Sequence, residues 1–467
     1  MSEHIKTRLL VVGGGPGGYV TALRAAQLGL QVTLVEADRL GGTCLIRGCI
    51  PSKAMIHAAE KFTNVRDAAK QGGTLGISLS ASPTLNLAET VKWKDGVVNR
   101  LNEGVAGLLK RAKVQVISGW ASFVDAKSCV VQTSGGQISI TAEHVVLATG
   151  SEPVALPGLP FGGPIISSTE ALSLQSLPRS LAVIGAGYIG LELGIAFRKM
   201  GVDVTVIEAQ DRILPLYDSA LVKPVARWLE KNGVPVHLGA SVVGFEAGSL
   251  FAKTQDGRSL ALKTEQVLVT VGRRPRTEGW GLENMGIDMS GRFVHVDDQC
   301  RTSMRNVWAI GDLVGEPMLE HKATAQGEMV AELIAGHRRR FDPVAIPAVC
   351  FTEPEIISVG LSPSDAGAGD IEVITSQFPF AANGRALSME AGEAGGFVRI
   401  VARKHDRRLL GIQAVGAHVS ELSGEFALAL EMGATLEDVA GVIHAHPTLS
   451  EAFFEASLAG LGHALHV

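Results

Sequence analysis

The first part of the chain alternates short apolar runs with a glycine-rich turn and a stretch of helical periodicity. The run RLLVV at residues 8–12 predicts a buried strand, and GGGPGG follows it at residues 13–18. Apolar positions then recur at helical spacing over residues 16–28, and a second apolar run, QVTLVE, covers residues 31–36. Strand, glycine turn, helix and strand in this order predict a unit that binds a nucleotide.

The same pattern recurs in the middle of the chain. SLAVI at residues 180–184 precedes GAGYIG, a helical stretch to Met200 and the run VDVTVIE, which ends at Glu208. A single glycine motif is weak evidence, but each copy places its acidic residue at the same distance from its first glycine. Two unrelated glycine turns would explain this spacing poorly, so we predict two separate dinucleotide sites.

Each position of the repeated unit has an expected task. The first glycine makes the tight turn, the second lets backbone approach a pyrophosphate, and the third lets the helix pack close to the strand. The acidic residue bonds a ribose hydroxyl, although alone it could be a solvated strand end. The residues with these four tasks are Gly13, Gly15, Gly18 and Glu36 in the first copy and Gly185, Gly187, Gly190 and Glu208 in the second.

Three more apolar runs, each predicted to be a strand, are followed by a glycine. HVVLATG ends at Gly150 and QVLVTVGRRP contains Gly272, and we expect the chain to cross between domains at both places. NVWAIGD ends at Asp312, directly after a strand and a glycine turn. Its carboxylate could accept hydrogen bonds from a polyol chain there, although a lone loop aspartate would be the plainer interpretation.

The composition narrows the class of function. A formal charge of −5 over 467 residues, with both signs interspersed, gives no electrostatic reason to expect a nucleic acid or a membrane as partner. The N-terminus lacks the apolar segment of a secretory signal, and no run of roughly 18 apolar residues is present. We therefore expect a cytoplasmic protein of about three domains that acts on small molecules.

The stretch GGTCLIRGCIPSK holds two of the five cysteines, Cys44 and Cys49. They could form a structural staple, bind a metal or act as a redox pair. Zinc needs about four soft ligands, usually in two pairs, and Cys129, Cys300 and Cys350 stand apart in apolar contexts that predict burial. A reducing compartment disfavours a persistent disulfide, so the pattern favours the redox pair.

A disulfide between these two residues requires a bend in the backbone. Disulfide Cα atoms lie about 4.4–6.8 Å apart, whereas five residues of helix rise roughly 7.5 Å. Gly48 and Pro51 allow that distortion, and a strained bridge is easily reduced. Because the pair follows closely on Glu36, we expect it to lie against the reactive ring of the first nucleotide, where a flavin fits.

Over nearly its whole length the chain resembles the pyridine nucleotide-disulfide oxidoreductases, and in particular the members that oxidise dihydrolipoamide. The motifs that carry the resemblance are GGGPGGY, GGTC with GCIPSK, LATGS, GAGYIGLELG, VGRRP, WAIGD, CFTEPEI and HAHPTLSE. The resemblance implies FAD in the first site, NAD in the second and a homodimer whose active site takes a histidine from the other subunit. It also implies lipoamide as substrate, carried by the lipoyl domain of a 2-oxo acid dehydrogenase or glycine cleavage complex.

The expected fold class is α/β, with two Rossmann-like dinucleotide-binding domains and a C-terminal α+β domain for dimerisation. We expect an FAD-binding domain at residues 1–149 and an NAD-binding domain at residues 150–272. A central domain at residues 273–346 would complete the FAD-binding domain, and residues 347–467 would form the interface domain.

The resemblance also implies roles for single residues. Cys44 resembles the thiol that exchanges with the substrate, and Cys49 resembles the thiol over the flavin. Lys53 resembles the lysine near the reactive flavin nitrogen, paired with Glu192, although alone these would suggest a surface lysine and a helical glutamate. Asp312 matches the residue that contacts the ribityl chain. The remaining expected cofactor-binding residues are Gly42, Thr43, Gly150 and Gly272.

HAHPTLSE places His444 and His446 in one loop. A metal site would need a third ligand that the sequence does not offer, so no metal is expected. The resemblance implies that His446 is the catalytic base and that Glu451 orients it, and histidine titrates near the pH where a dithiol must lose a proton. Thr448 and Glu451 also match a helix capping box, with Thr448 as N-cap.

Arg47 and Glu320 depart from the family pattern. Arg47 could lower the pKa of a nearby thiolate, and Glu320 would add a negative charge near the pyrimidine end of the flavin. Glu208 disfavours the 2′-phosphate of NADP, with only Arg212 nearby to counter it, so NAD is expected. Two alternatives stay open: an NADPH-dependent reductase of the glutathione reductase type, and a mainly structural subunit or flavin-bound sensor.

Overall fold

A computed structural model describes residues 3–70 and 73–467 of the chain. Its first part contains strands β1 to β6 and helices α1 to α4. They are β1 (Glu3–Val12), α1 (Pro16–Gln27), β2 (Val32–Glu36), α2 (Gly42–Arg47), α3 (Cys49–Ala68), α4 (Leu87–Arg111), β3 (Gln115–Ser118), β4 (Trp120–Phe123), β5 (Ser128–Thr133) and β6 (Gly136–Leu147).

β1 lies at the centre of the first sheet. Leu9, Leu10 and Val11 are fully buried, as expected of a strand that is covered on both faces. β1 pairs in parallel with β2 on one side and with β6 on the other. The carboxyl ends of these strands therefore meet at one edge, where the first glycine turn follows β1.

The next part repeats the strand, helix and strand of the first in β9, α6 and β10. Its elements are β7 (Ser151–Pro153), β8 (Ile165–Ile166), α5 (Ser168–Ala171), β9 (Ser180–Ile184), α6 (Tyr188–Lys199), β10 (Asp203–Ile207), α7 (Ser219–Lys231), β11 (Val236–His237), β12 (Ala240–Glu246), β13 (Ser249–Thr254), β14 (Ser259–Lys263) and β15 (Gln266–Val269). β11, β10, β9, β15 and β8 form a parallel sheet in that order, and β12 to β14 form an antiparallel one.

The chain then returns to the first sheet. The elements of this part are β16 (Arg273–Pro275), β17 (Met289–Ser290), β18 (Phe293–Val294), β19 (Val307–Ala309) and α8 (Glu320–Ile334). β19 pairs in parallel with β6, and α8 packs closely on α1, where a Cβ on Gly327 would lie 2.5 Å from Gly17 O. Arg24 of α1 and Glu332 of α8 form an ion pair at 2.6 Å across this contact.

The C-terminal part is an antiparallel sheet with helices. Its elements are β20 (Ala348–Cys350), β21 (Glu355–Gly360), α9 (Pro363–Ala368), β22 (Val373–Pro379), α10 (Gly384–Ser388), β23 (Phe397–Arg403), β24 (Leu409–Gly416), α11 (Ser423–Glu431), α12 (Leu436–Gly441) and α13 (Glu451–Gly460). The strand order is β20, β21, β24, β23, β22. Phe426 of α11 and Phe453 of α13 pack edge to face, 5.1 Å apart.

The α/β class with two nucleotide-binding units and a C-terminal α+β part is confirmed. The apolar pattern of HVSELSGEFALALEMG predicts a single amphipathic helix, but this stretch divides into a 3-10 turn at Val419–Leu422 and helix α11. Among the described residues, no helix combines the length and the apolar character needed to cross a membrane.

Candidate active site

The two glycine turns have the same geometry. Gly13 follows β1 with φ +102°, and Gly185 follows β9 with φ +94°. A Cβ on either would clash with a backbone carbonyl oxygen, at 2.2 and 2.6 Å respectively. A Cβ on Gly18 would lie 1.8 Å from Gly13 O, and one on Gly190 would lie 2.3 Å from Gly185 O. Only glycine fits these positions, since both helices start in contact with the preceding turn.

The middle glycine of each turn is open instead. Gly15 and Gly187 are the N-caps of α1 and α6. A Cβ on Gly15 would find its nearest neighbour, Gly42 Cα, at 3.8 Å, and one on Gly187 would have no described atom within 4 Å. Backbone N–H groups at a helix start attract phosphate oxygens, so this open backbone fits the pyrophosphate of a dinucleotide in both units.

Glu36 and Glu208 are bound to their own glycine turns in the same way. Glu36 accepts hydrogen bonds from the N–H of Gly14 at 2.6 Å and from the N–H two residues beyond itself at 2.7 Å. Glu208 accepts from the N–H of Ala186 at 2.6 Å and again from two residues on at 2.8 Å. Each carboxylate thus joins its strand end to the turn, and the contact with a ribose stays a prediction.

A cavity of about 430 Å³ extends from the first glycine turn to α6. Most of the predicted residues of the first site line it, together with Glu192 of α6: Gly13, Gly15, Glu36, Gly42, Thr43, Cys44, Cys49, Lys53, Gly150, Asp312 and Glu192. The remaining predicted residues lie outside its lining: Gly18, Gly185, Gly187, Gly190, Glu208, Gly272, His446 and Glu451. Folding therefore gathers the cysteines, the lysine and α6 around one space.

The two cysteines lie on consecutive helices that bend at Gly48. Cys44 belongs to α2, Gly48 has φ −134° and ψ −110°, and Cys49 is the first residue of α3. A Cβ on Gly48 would lie 2.8 Å from a backbone oxygen, so the bend needs glycine. The predicted distortion is present at Gly48, whereas Pro51 lies in the first turn of α3, where proline is tolerated. Both thiols are free in the structure.

The two thiols differ in their affinity for a proton. A hydrogen bond from Cys44 lowers the pKa of Cys49; burial opposes this, and the charge of Lys53 lowers the pKa further. The same hydrogen bond, together with burial, raises the pKa of Cys44. Cys49 also begins α3, and a helix N-terminus favours negative charge. These opposite shifts of the pKa favour the thiolate at Cys49 and the thiol at Cys44 in the reduced pair.

Lys53 and Glu192 form an ion pair between α3 and α6. Lys53 Nζ lies 2.7 Å from Glu192 Oε2, and the carboxylate side chain is 4% exposed against 32% for the lysine. Burial acts to lower the pKa of Lys53, but the charge and hydrogen bond of Glu192 raise it overall. The lysine therefore keeps its charge inside the cavity.

Asp312 is held where the chain crosses between the two units. β7 pairs with β16, and this brings Ser151 beside Arg273. Arg273 Nε donates to Ser151 Oγ at 2.8 Å, and Ser151 Oγ donates to Asp312 Oδ2 at 2.5 Å. Arg273 also reaches Thr43 Oγ1 at 3.5 Å. Sequence reasoning missed Ser151 and Arg273; the available signal was that VGRRP sits at a crossing.

His446 is exposed in its own subunit. Its side chain is 79% exposed, and its Nδ1 lies 2.9 Å from Glu451 Oε1. The second oxygen of Glu451 accepts from the Thr448 N–H at 2.8 Å. Burial raises the pKa of Glu451, but the Thr448 hydrogen bond and His446 together bring it below its usual value. The carboxylate is therefore ionised and available to orient the imidazole.

The predicted capping box with Thr448 as N-cap is wrong. Helix α13 begins at Glu451 and its N-cap is Ser450. Thr448 Oγ1 donates to Ala445 O at 2.7 Å, so its hydroxyl is used inside the loop. Only the half of the box in which Glu451 accepts from Thr448 N–H is formed.

His444 has a carboxylate partner of its own. Its side chain is 5% exposed, and its Nε2 lies 3.0 Å from Glu425 Oε1. Glu425 was not predicted, because it belongs to α11 and carries no motif. Over residues 3–70 and 73–467, no cluster of three or more His, Cys, Asp or Glu side chains could hold a metal.

Arg47 and Glu320, the two departures from the family pattern, both line the cavity. Arg47 forms an ion pair with Asp38. Burial raises the pKa of Glu36 overall, and the charge of Arg47 offsets only part of that rise. Glu320, the first residue of α8, lines the cavity and accepts a hydrogen bond from Thr324 at 2.9 Å. Its negative charge helps to raise the pKa of Cys44. It also acts to raise the pKa of Cys49, against the causes that lower that pKa overall.

The chain belongs to the pyridine nucleotide-disulphide oxidoreductases. The profile of that family matches residues 7–327, and the profile of its dimerisation domain matches residues 346–457. The family resemblance seen in the motifs is thereby confirmed, and the C-terminal part is a dimerisation domain.

Similar proteins narrow the class further. Dihydrolipoyl dehydrogenase of Pseudomonas aeruginosa is 59% identical over 468 residues, covering 100% of both chains. Dihydrolipoyl dehydrogenase of Geobacillus stearothermophilus is 45% identical, covering 99% of this chain and 98% of its own. The crystal structure of LpdA from Mycobacterium tuberculosis is 29% identical with a TM-score of 0.88, covering 97% of this chain and 99% of that chain. The expected similarity to dihydrolipoyl dehydrogenases is confirmed.

Proposed function

We propose that this chain oxidises protein-bound dihydrolipoamide to lipoamide and reduces NAD. The observation that carries the proposal is an asymmetric thiol pair, Cys44 and Cys49, in a cavity that joins the first glycine turn to α6 of the second unit. The 59% identity to a dihydrolipoyl dehydrogenase over the full chain supports the choice of substrate.

FAD is proposed for the first unit and NAD for the second. The open backbone at Gly15 and the start of α1 would hold the FAD diphosphate, Glu36 would meet a ribose hydroxyl, and Asp312 would meet the polyol chain. Gly187 and Glu208 would do the same for NAD. When bound, FAD supplies the two-electron chemistry that connects thiols with a nicotinamide.

NAD rather than NADP is proposed because of Glu208. Its carboxylate lies at the end of β10, where a 2′-phosphate would face it. Arg212, the cation that could compensate, donates instead to the carbonyl of Pro215. This arrangement argues against the alternative of an NADPH-dependent reductase.

The thiol steps follow from the positions of the sulfurs. With Cys44 and Cys49 joined as a disulfide, a substrate thiolate attacks Cys44 Sγ, the bond between the two cysteines breaks, and Cys49 leaves as a thiolate. The second substrate thiolate attacks the substrate sulfur bound to Cys44, so lipoamide leaves and Cys44 is released. Two electrons then reside in the reduced pair. Lys53 and the start of α3 balance the charge on Cys49.

His446 of the partner subunit is proposed as the base that accepts the substrate protons. In its own subunit His446 is exposed and lies outside the cavity lining, which supports a role for it at the cysteines of a second copy. We propose a homodimer built on the dimerisation domain, with the lipoyl domain of a 2-oxo acid dehydrogenase or glycine cleavage complex as partner. The low cysteine usage agrees with action in the cytoplasm.

The test is steady-state turnover of the FAD-loaded protein with free dihydrolipoamide and either NAD or NADP. We expect reduction of NAD that depends on dihydrolipoamide and a much slower reaction with NADP. Reduction of glutathione disulfide by NADPH would support the reductase alternative. A protein that binds FAD, forms dimers and shows no turnover with lipoamide would contradict the proposal and favour a structural subunit.

A further inference from the structure

Phe351 joins the dimerisation domain to the ion pair in the cavity. It directly follows β20, and its backbone N–H donates to Glu192 Oε1 at 2.9 Å. The face of its ring lies under Lys53, with Nζ 4.4 Å from the ring centroid. Since Lys53 takes the other carboxylate oxygen of Glu192 at 2.7 Å, one residue contacts both members of the pair.

The contact with the Phe351 ring restrains Lys53, the more flexible member of its ion pair with Glu192. Glu192 is almost fully buried and uses both carboxylate oxygens, so its position is determined. Lys53 is about one third exposed and carries a long flexible side chain that could turn into the cavity. An aromatic face attracts an ammonium group within about 6 Å of its centroid. The ring is therefore the second support of the ammonium, beside the carboxylate.

Phe351 is itself held in place by its neighbours. Cys350 before it is fully buried, and Thr352 after it is buried with its hydroxyl bonded to Pro354 O at 2.8 Å. The backbone at Phe351 therefore cannot shift without disturbing the core that joins the second unit to β20. The ring of Phe351 is therefore held in a fixed position against Lys53.

We propose that Phe351 is a positioning residue for the redox pair. Its ring holds the Lys53 ammonium, and its backbone N–H holds the Glu192 carboxylate that pairs with that ammonium. Lys53 is thereby kept where it stabilises a thiolate at Cys49, one helical turn away on α3. The inference rests on the proposed thiol chemistry and extends it, because it makes the dimerisation domain part of the redox site as well as an interface. Other charged or titratable groups that face Cys49 are Cys44 on α2, Glu320 on α8 and Tyr188 on α6.

The test is the titration of Cys49 in FAD-loaded Cys44→Ser protein, with and without Phe351→Leu. The ultraviolet absorbance of the thiolate reports Cys49 whether or not the protein turns over lipoamide, after subtraction of the Cys44→Ser/Cys49→Ser protein. We expect Phe351→Leu to move the midpoint upward by roughly half a pH unit, because the ammonium loses one of its two supports. Phe351→Tyr keeps the ring and should restore the original midpoint.

Phe397→Leu is the matched control. Phe397 is also half-buried in the dimerisation domain and lies beside a cation, but that cation is Arg399 and not Lys53, with 5.9 Å from the guanidinium carbon to the ring centroid. The control should leave the midpoint of Cys49 unchanged. An unchanged midpoint in Phe351→Leu, or equal shifts in Phe351→Leu and Phe397→Leu, would overturn the inference. Absence of turnover with lipoamide would count against the proposed function alone, since the titration does not depend on turnover.

Discussion

Cys49 and Lys53 lie one helical turn apart on α3 and line the same cavity. Residues four apart share a helix face, so the ammonium acts on the thiol from within one rigid element. The lysine is in turn paired with Glu192 on α6. The charge that stabilises the thiolate is thus set by contacts between elements remote in the chain.

Replacing Lys53 should weaken the thiolate. The charge of Lys53 is one of the causes of the lowered pKa of Cys49, so Lys53→Met should raise that pKa by about one unit. The thiolate would then appear at higher pH than in the unmodified protein, as followed by its absorbance. Lys53→Arg keeps the charge and is the control; equal midpoints for Lys53→Met and Lys53→Arg would contradict the prediction.

The two cysteines should behave differently towards the flavin. Cys49→Ser should abolish the long-wavelength charge-transfer absorbance of the reduced protein, because Cys49 holds the thiolate. Cys44→Ser should retain such a band, and the band should fade as the pH falls through the lowered pKa of Cys49. The measurement is the visible spectrum against pH. A band that survives in Cys49→Ser and disappears in Cys44→Ser would reverse the assignment.

Glu320 should make the thiolate form of Cys49 less stable. Because its charge opposes the lowered pKa of Cys49, Glu320→Ala should lower that pKa further, by roughly half a unit, and extend the charge-transfer band to lower pH. Glu328→Ala removes an exposed carboxylate from the same helix, outside the cavity lining, and serves as control. The effect assigned to Glu320 is absent if the band of Glu320→Ala fades at a higher pH than in the unmodified protein. It is also absent if the bands of Glu320→Ala and Glu328→Ala fade at the same pH.

His446 should act on the cysteines of the other subunit. His446→Gln should reduce kcat with dihydrolipoamide by about 10²–10⁴-fold, and Glu451→Gln should reduce it less, since the imidazole keeps its proton-accepting atom. Mixing inactive Cys44→Ser and His446→Gln subunits should restore roughly a quarter of normal activity, because each mixed dimer has one intact site. If mixed dimers form and stay inactive, the base acts within its own subunit.

A buried ion pair should stabilise the contact between the second unit and the dimerisation domain. Arg399 of β23 lies 3.0 Å from Asp218, the N-cap of α7, and both side chains are largely buried. Arg399→Leu leaves the aspartate without its cation and should cost about 3 kcal/mol, seen as a lower midpoint of thermal unfolding. Arg407→Leu breaks an exposed ion pair with Glu437 and should cost less than about 1 kcal/mol. Equal losses of stability in Arg399→Leu and Arg407→Leu would show that the buried ion pair contributes no more than the exposed one.

Local patterns predicted the nucleotide-binding units well. Strand β9 has the predicted bounds Ser180–Ile184, and α1 ends at Gln27, one residue before the predicted end. These elements follow from apolar periodicity and from glycines that no other residue could replace, and both signals lie within a few neighbouring residues. The bend between the cysteines was predictable for the same reason, since Gly48 marks it.

Contacts between segments that are remote in the chain could not be predicted from local sequence patterns. Ser151 and Arg273 meet because β7 and β16 pair, and no local sequence pattern predicts that pairing. Phe351 belongs to an apolar strand end by its sequence, yet its ring lies against Lys53. The predicted cap at Thr448 was wrong because its hydroxyl bonds inside the loop, a choice that depends on how the loop folds.

The amino-acid order alone determined that two glycine turns, each with an acidic strand end, accompany a closely spaced pair of cysteines. These features are local, and hydrophobic periodicity and backbone sterics are enough to specify them. Only the tertiary structure decided that the pKa of Cys49 is lowered while that of Cys44 is raised, and that His446 lies outside the lining of the cavity that holds both cysteines. Both outcomes depend on burial, charge and hydrogen bonds contributed by distant segments, which exist only once the sheets and helices are packed.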